Sequence, residues 1–103
     1  MTSKLIREEK NETTYVLAFD VGDEVIATIT KFAGAHRIEA ARMMAIGGLR
    51  EATLGFFELG RKQYKHIEVQ EQVEVVSLLG NIAMDMSGST PQIKVHSHAV
   101  VGR

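Results

Sequence analysis

Two histidines near the end of the chain have the spacing of metal ligands. His96 and His98 lie two residues apart in a segment, 92–101, in which one set of alternate positions is mostly apolar. Side chains two apart on a β-strand project from the same face, so both imidazoles could bind one ion. The spacing alone is also typical of ordinary surface or hydrogen-bonded histidines. His96 and His98 are therefore the candidate metal ligands.

Three polar residues further back in the sequence could assist this pair. Ser77 and Asn81 lie on either side of Gly80 at a predicted strand end, where they could hydrogen-bond a ligand or orient a metal-bound histidine. They are equally compatible with a turn at Asn81 and a backbone hydrogen bond from Ser77. Glu74 could act as a general base if it were buried beside the histidines, although a lone Glu on a strand is usually solvated. The catalytic residue is thus unknown, with Glu74 as a weak candidate.

Composition limits the kinds of protein this can be. A chain of 103 residues fits one domain, and a domain this short buries only about 60 per cent of its unfolded surface, so partner subunits would help it. Twelve Lys and Arg against thirteen Asp and Glu give no positive field to hold nucleic acid. The absence of Cys leaves any transition metal to His and carboxylates. No apolar run reaches the roughly 18 residues of a membrane span, so a cytoplasmic protein without a membrane partner is expected.

The elements that must position these residues follow from periodicity and turn signals. Apolar residues at helical spacing predict a helix over 24–33, begun by Asp23 and Glu24 and ended by Gly34. Segment 38–46 has the composition of a helix, whereas residues 1–13 form a solvated lead-in with at most a short edge strand at 3–7. The other predicted strands, in chain order, are 15–19, the two arms of a hairpin at 50–59 and 63–69, a central strand at 73–79 that can continue to 86, and 92–101.

Four segments together resemble a known family. The specific part is Glu-x-x-Ser-Leu-x-Gly-Asn, which begins at Glu74, followed after a loop by His96-Ser97-His98. From about Tyr15 onward the chain is similar to the plant and prokaryote conserved (PPC, or DUF296) domain, so the domain is placed at 14–103. The resemblance implies an α+β fold with a mixed, strongly curved sheet, one main helix at about 24–33 and an acetolactate-decarboxylase-like architecture. It also implies a homotrimer, and a buried strand at 38–46 in place of the helix.

The chain departs from the family pattern at its C-terminal end. Members usually continue into a Gly-Gly-His-Leu segment and further strands, whereas this sequence stops at Arg103. The resemblance therefore implies a shortened version that has lost the usual third histidine and left a sheet edge open to another chain. His66, His36, Glu74 or a neighbouring subunit would have to supply the third ligand.

Two functional hypotheses follow. The first is a non-catalytic, oligomeric binding or regulatory module, and the alternative is a zinc-dependent enzyme that acts on a small oxygenated substrate through His96 and His98. DNA comes third as a partner. Members of the family are called DNA-binding because some plant proteins carry separate AT-hook segments, and this chain has no Arg-Gly-Arg-Pro core.

Overall fold

The computed structural model describes residues 1–103, which form one helix and seven strands. This is the α+β class that the sequence predicted. The strands pair in three groups, ordered β1-β2, β3-β6-β7 and β4-β5. The chain divides into two compact units, residues 1–40 with 83–95 and residues 41–82 with 96–103. The strands and the helix are β1 (Thr2–Glu8), β2 (Thr13–Ala18), α1 (Val25–Ala35), β3 (Ala41–Leu49), β4 (Ala52–Glu58), β5 (Gln63–Val69), β6 (Val73–Asp85) and β7 (Gln92–Gly102).

The first unit begins with an antiparallel hairpin. Strands β1 and β2 pair from Thr2 opposite Ala18 to Glu8 opposite Thr13, with a register shift between Leu5 and Arg7. Every residue of β1 is exposed. The short edge strand expected at 3–7 is therefore a longer strand, because β2 offers it a partner along its whole length.

Helix α1 forms the apolar centre of the first unit. The Glu24 carboxylate caps its start by accepting a hydrogen bond from the backbone N–H of Ala27 at 2.5 Å. Ile29, Phe32 and Ala33 are buried. The predicted stop at Gly34 is wrong by two residues, since the helix continues through Ala35. Arg37, with φ at 55°, takes the left-handed conformation that follows the helix.

In segment 38–46 the residues prefer a helix, but the structure has a strand. The segment contains no helix, and β3 runs from Ala41 to Leu49, paired antiparallel with β6 so that Met44 lies opposite Leu79. Pairing with β6 satisfies its backbone groups, which outweighs a helix propensity of a few tenths of a kcal/mol per residue. The strand implied by the family resemblance is confirmed. Its burial is not, because Met44 and Ile46 are 80 and 84 per cent exposed.

The second unit also contains the predicted hairpin. Strand β4 pairs with β5 from Ala52 opposite Val69 to Glu58 opposite Gln63. The rings of Phe57 and Tyr64 meet edge to face with centroids 5.1 Å apart. This pair is exposed and holds the register of the hairpin.

Strand β6 is the centre of the three-stranded sheet. It extends over 13 residues, so the continuation beyond residue 79 is confirmed. Val73, Val75 and Ile82 are its buried residues. No helix in the structure is long and apolar enough to cross a membrane.

Candidate metal centre

The two histidines lie side by side on β7 and face solvent. Their Nε2 atoms are 3.2 Å apart, so one ring donates its N–H to the other, and either tautomeric assignment satisfies the contact. The ring centroids are 5.0 Å apart and the rings meet edge to face. The alternation of β7, with His96 and His98 exposed and their neighbours half-buried, is the alternation predicted from the sequence.

The separation of the two nitrogens suits two ligands on one ion. Two Zn–N bonds of about 2.0–2.1 Å that meet at a tetrahedral angle place their nitrogens about 3.3 Å apart. The observed Nε2 separation is 3.2 Å. The distance between the two Nε2 atoms is therefore compatible with both histidines binding one ion, with the shared proton on an Nδ1 atom and the rings turned so that both nitrogens face the ion.

The chain itself adds no third ligand. No group of three or more His, Asp or Glu side chains lies close enough together to hold a metal ion. The His36 ring stacks on Phe32 with centroids 4.0 Å apart, and its Nδ1 lies 3.0 Å from the Phe32 carbonyl oxygen. His66 lies on β5 opposite Gly55. The remaining positions on an ion would need water or donors from another chain.

Strand β6 lies beside the histidines on β7. Its direction relative to β7 determines how far the other predicted residues lie from the histidines. A Cβ added at Gly80 would overlap the carbonyl oxygen of His96, and one added at Gly102 would lie 3.7 Å from Cγ2 of Val76. Strands β6 and β7 are therefore antiparallel, with Gly80 next to His96. Because the strands are antiparallel, His98 lies opposite about residue 78, and Glu74 is displaced from that position by about 13 Å along β6. The structure does not bring Glu74 to the histidines.

Asn81 and Ser77 differ in their relation to the pair. The Cβ position of Gly80 faces Ser97, so alternation puts Asn81 on the face that carries His96 and His98. Asn81 is exposed there, beside the histidines, whereas Ser77 is half-buried. Asn81 thus shares a face with the pair, and roles for Asn81 and Ser77 both stay predictions.

Exposed apolar residues lie on the same face of the three-stranded sheet as the histidines. They share the outward face of β3, β6 and β7, and each is more than half exposed. We call them the outer apolar face: Met44, Ile46, Val76, Leu79 and Val100. The sequence predicted strands here, but the grouping of these residues with the histidines follows from the registers of three separate strands.

The first unit contains two clusters of ionisable groups. Hydrogen bonds from the Ser87 hydroxyl at 2.6 Å and the Ser87 backbone N–H at 2.9 Å lower the pKa of Asp85. Contacts with Asp20 and Asp23 raise the pKa of the Met1 amine. Sequence inspection did not single out either cluster, because an Asp two residues before a Ser is common in turns.

Three solved structures are similar to this chain. The metal-containing protein AF0104 from Archaeoglobus fulgidus is 32% identical with a TM-score of 0.75, over 82% of this chain and 58% of its own. A proposed DNA-binding protein from Bacteroides thetaiotaomicron is 32% identical with a TM-score of 0.66, over 77% of this chain and 52% of its own. A plant- and prokaryote-conserved protein from Pyrococcus horikoshii is 26% identical with a TM-score of 0.73, over 99% of this chain and 61% of its own.

These matches cover the fold but only part of each relative. The chain spans between about a half and three fifths of the length of the three proteins. No functionally curated protein matches the sequence. The model of the Plants and Prokaryotes Conserved (PCC) domain matches residues 6–103, nearly the whole chain. The protein is therefore a member of the Plants and Prokaryotes Conserved domain family.

Proposed function

We propose that this chain is a non-catalytic binding module that assembles, as a homotrimer, through its outer apolar face and binds a zinc ion at His96 and His98. The observation that carries the proposal is the position of the histidines, which hold their Nε2 atoms 3.2 Å apart within that exposed face. One surface thus offers both apolar area and metal ligands.

The amount of exposed apolar surface supports assembly. The buried apolar residues of the single chain are few, namely Ile29, Phe32, Ala33, Val73, Val75 and Ile82. The outer apolar face leaves five large side chains in water, and contiguous patches of this kind on small proteins mark interaction sites. Both outer strands of the three-stranded sheet, β3 and β7, also have an unpaired edge. A second copy that covers this face would complete the core.

Zinc binding and assembly support each other in this arrangement. Two imidazoles alone bind an ion weakly, because zinc sites in proteins use three or four protein ligands. Donors from a neighbouring copy in the trimer would supply the missing ligands. The metal content of the Archaeoglobus relative, which shares 32% of its residues over the matched region, is in keeping with this proposal.

The alternative hypotheses have less support. A zinc-dependent enzyme needs a proton-transfer group beside the ion, and Glu74 lies about 13 Å along β6 from the position opposite His98. A DNA partner is suggested by the name of the Bacteroides relative. The net charge of −1 does not favour it, since affinity for DNA depends on neutralising phosphates.

The proposal is tested by measuring zinc content and mass in the same samples. Protein reconstituted with zinc and freed of excess metal should retain the ion, and light scattering after size exclusion should give the mass of a trimer. The double variant His96→Ala, His98→Ala should lose zinc, whereas His66→Ala should retain it. A monomeric wild type, or wild-type protein that takes up no zinc, would contradict the proposal.

A further inference from the structure

Gly80 leaves no room for a side chain at the point where β6 passes His96. A Cβ at this position would overlap the His96 carbonyl oxygen and would lie 2.7 Å from Cε of Met43 and 2.9 Å from Cβ of Ser97. Separations below about 3 Å do not occur between such atoms in packed proteins, so one of the neighbours would have to move.

The three neighbours differ in how easily they can move. Met43 is half-buried and contacts Gly80 through the end of a flexible side chain, which can rotate away. The carbonyl of His96 and the Cβ of Ser97 belong to the β7 backbone or are attached directly to it. Any side chain at Gly80 therefore displaces β7 at the residue that carries the first histidine.

A small displacement of β7 at this point matters because zinc binding depends on the distance between the two Nε2 atoms. The Nε2 atoms of His96 and His98 are now 3.2 Å apart, close to the separation that two ligands of one zinc ion need. A shift of His96 alone changes this separation, since His98 is two residues further along the strand. Metal affinity is sensitive to the groups that orient its ligands, typically by 10- to 100-fold.

We infer that Gly80 is a positioning residue for the zinc site: its lack of a side chain lets β7 lie close enough to β6 to align His96 with His98. The inference deepens the proposed zinc-binding function and rests on it. Asn81 contributes a side chain to the face that carries the histidines. Gly80 has no side chain and acts only by leaving room for β7.

The test compares glycine-to-alanine changes on the same sheet. Gly80→Ala should weaken zinc binding by about 10- to 100-fold in isothermal titration calorimetry. Gly102→Ala on β7 is the matched control, since a Cβ there meets Cγ2 of Val76 at an ordinary 3.7 Å and should leave the affinity unchanged. Equal affinities in wild type and Gly80→Ala would overturn the inference while leaving the zinc site in place. An absence of zinc binding in the wild type would instead refute the site.

A double variant separates strand displacement from simple crowding. Met43→Ala combined with Gly80→Ala removes the contact with Met43 Cε but retains the overlap with the His96 carbonyl. Zinc affinity should stay low in this variant. Full recovery would show that the crowded methionine caused the loss, and would overturn the inference.

A measurement on the wild type covers the case in which Gly80→Ala does not fold. In a ¹⁵N NMR titration with zinc, the amide of Gly80 should shift together with those of His96, Ser97 and His98. A Gly80 resonance that stays fixed while the histidine resonances shift would show that β6 is not coupled to the site, and would overturn the inference.

Discussion

At the scale of single residues, the structure assigns different tasks to groups that look alike in the sequence. His96 and His98 turn towards each other at 3.2 Å, whereas His36 stacks on Phe32 at the end of the helix. The difference arises from position, because β7 holds two imidazoles on one face and α1 holds one against an aromatic ring. The carboxylates also differ in their contacts. Asp85 accepts two hydrogen bonds from Ser87, and these lower its pKa.

Replacing Ser87 by Ala should raise the pKa of Asp85 towards its ordinary value, because the hydroxyl is the main group that lowers it. A carboxyl with a lowered pKa in the folded state stabilises the fold above its unfolded pKa, and this contribution is lost as the pH falls through the folded value. Acid unfolding of Ser87→Ala should therefore begin at a higher pH. Carboxyl ¹³C titration by NMR measures the pKa directly, with Ser89→Ala as the control from the same loop. Identical titration curves for wild type and Ser87→Ala would contradict this expectation.

At the scale of elements, patterns of neighbouring residues were sufficient to predict some of the helices and strands but not others. The apolar spacing of Ile29 and Phe32 predicted α1, and the alternation around the histidines predicted β7. Segment 38–46 needed the family resemblance, because its own residues favour a helix. The end of α1 was misplaced because Gly34 keeps a helical backbone while Arg37 takes the left-handed conformation.

The start of the helix can be tested through its cap. Glu24→Ala removes the carboxylate that accepts hydrogen bonds from the N–H groups of Ile26 and Ala27. It should lower the free energy of unfolding by about 1 kcal/mol, as the loss of other helix caps does. Urea denaturation followed by circular dichroism measures this change. Glu39→Ala, an exposed residue outside the helix, should have no comparable effect, and equal losses in both variants would argue against the cap.

At the scale of the whole molecule, the outer apolar face is the surface through which we propose that copies of the chain assemble. Ile46 is 84 per cent exposed on β3, and Val21 is 91 per cent exposed in the segment between β2 and α1. The two residues have similar exposure and chemistry, but Ile46 belongs to the outer apolar face, whereas Val21 lies in a loop of the first unit. They therefore provide a matched comparison for assembly.

Ile46→Lys should weaken self-association at least tenfold while leaving the fold of each chain intact, because a charge would be buried at the proposed interface. Val21→Lys should assemble like the wild type. Sedimentation equilibrium measures the association constants, and circular dichroism checks the fold. Assembly of Ile46→Lys at wild-type strength would remove the outer apolar face from the proposed interface.

The sequence by itself determined the family, the α+β class, most of the elements and the face of β7 that carries His96 and His98. These features depend on neighbours within a few residues, or on a motif that can be recognised in order along the chain. Only the tertiary structure decided that Glu74 lies away from the histidines along β6, that Gly80 lies directly beside His96, and that apolar side chains of three strands share a face with the pair. Each of these depends on the register between strands far apart in the sequence, and no local pattern records that register.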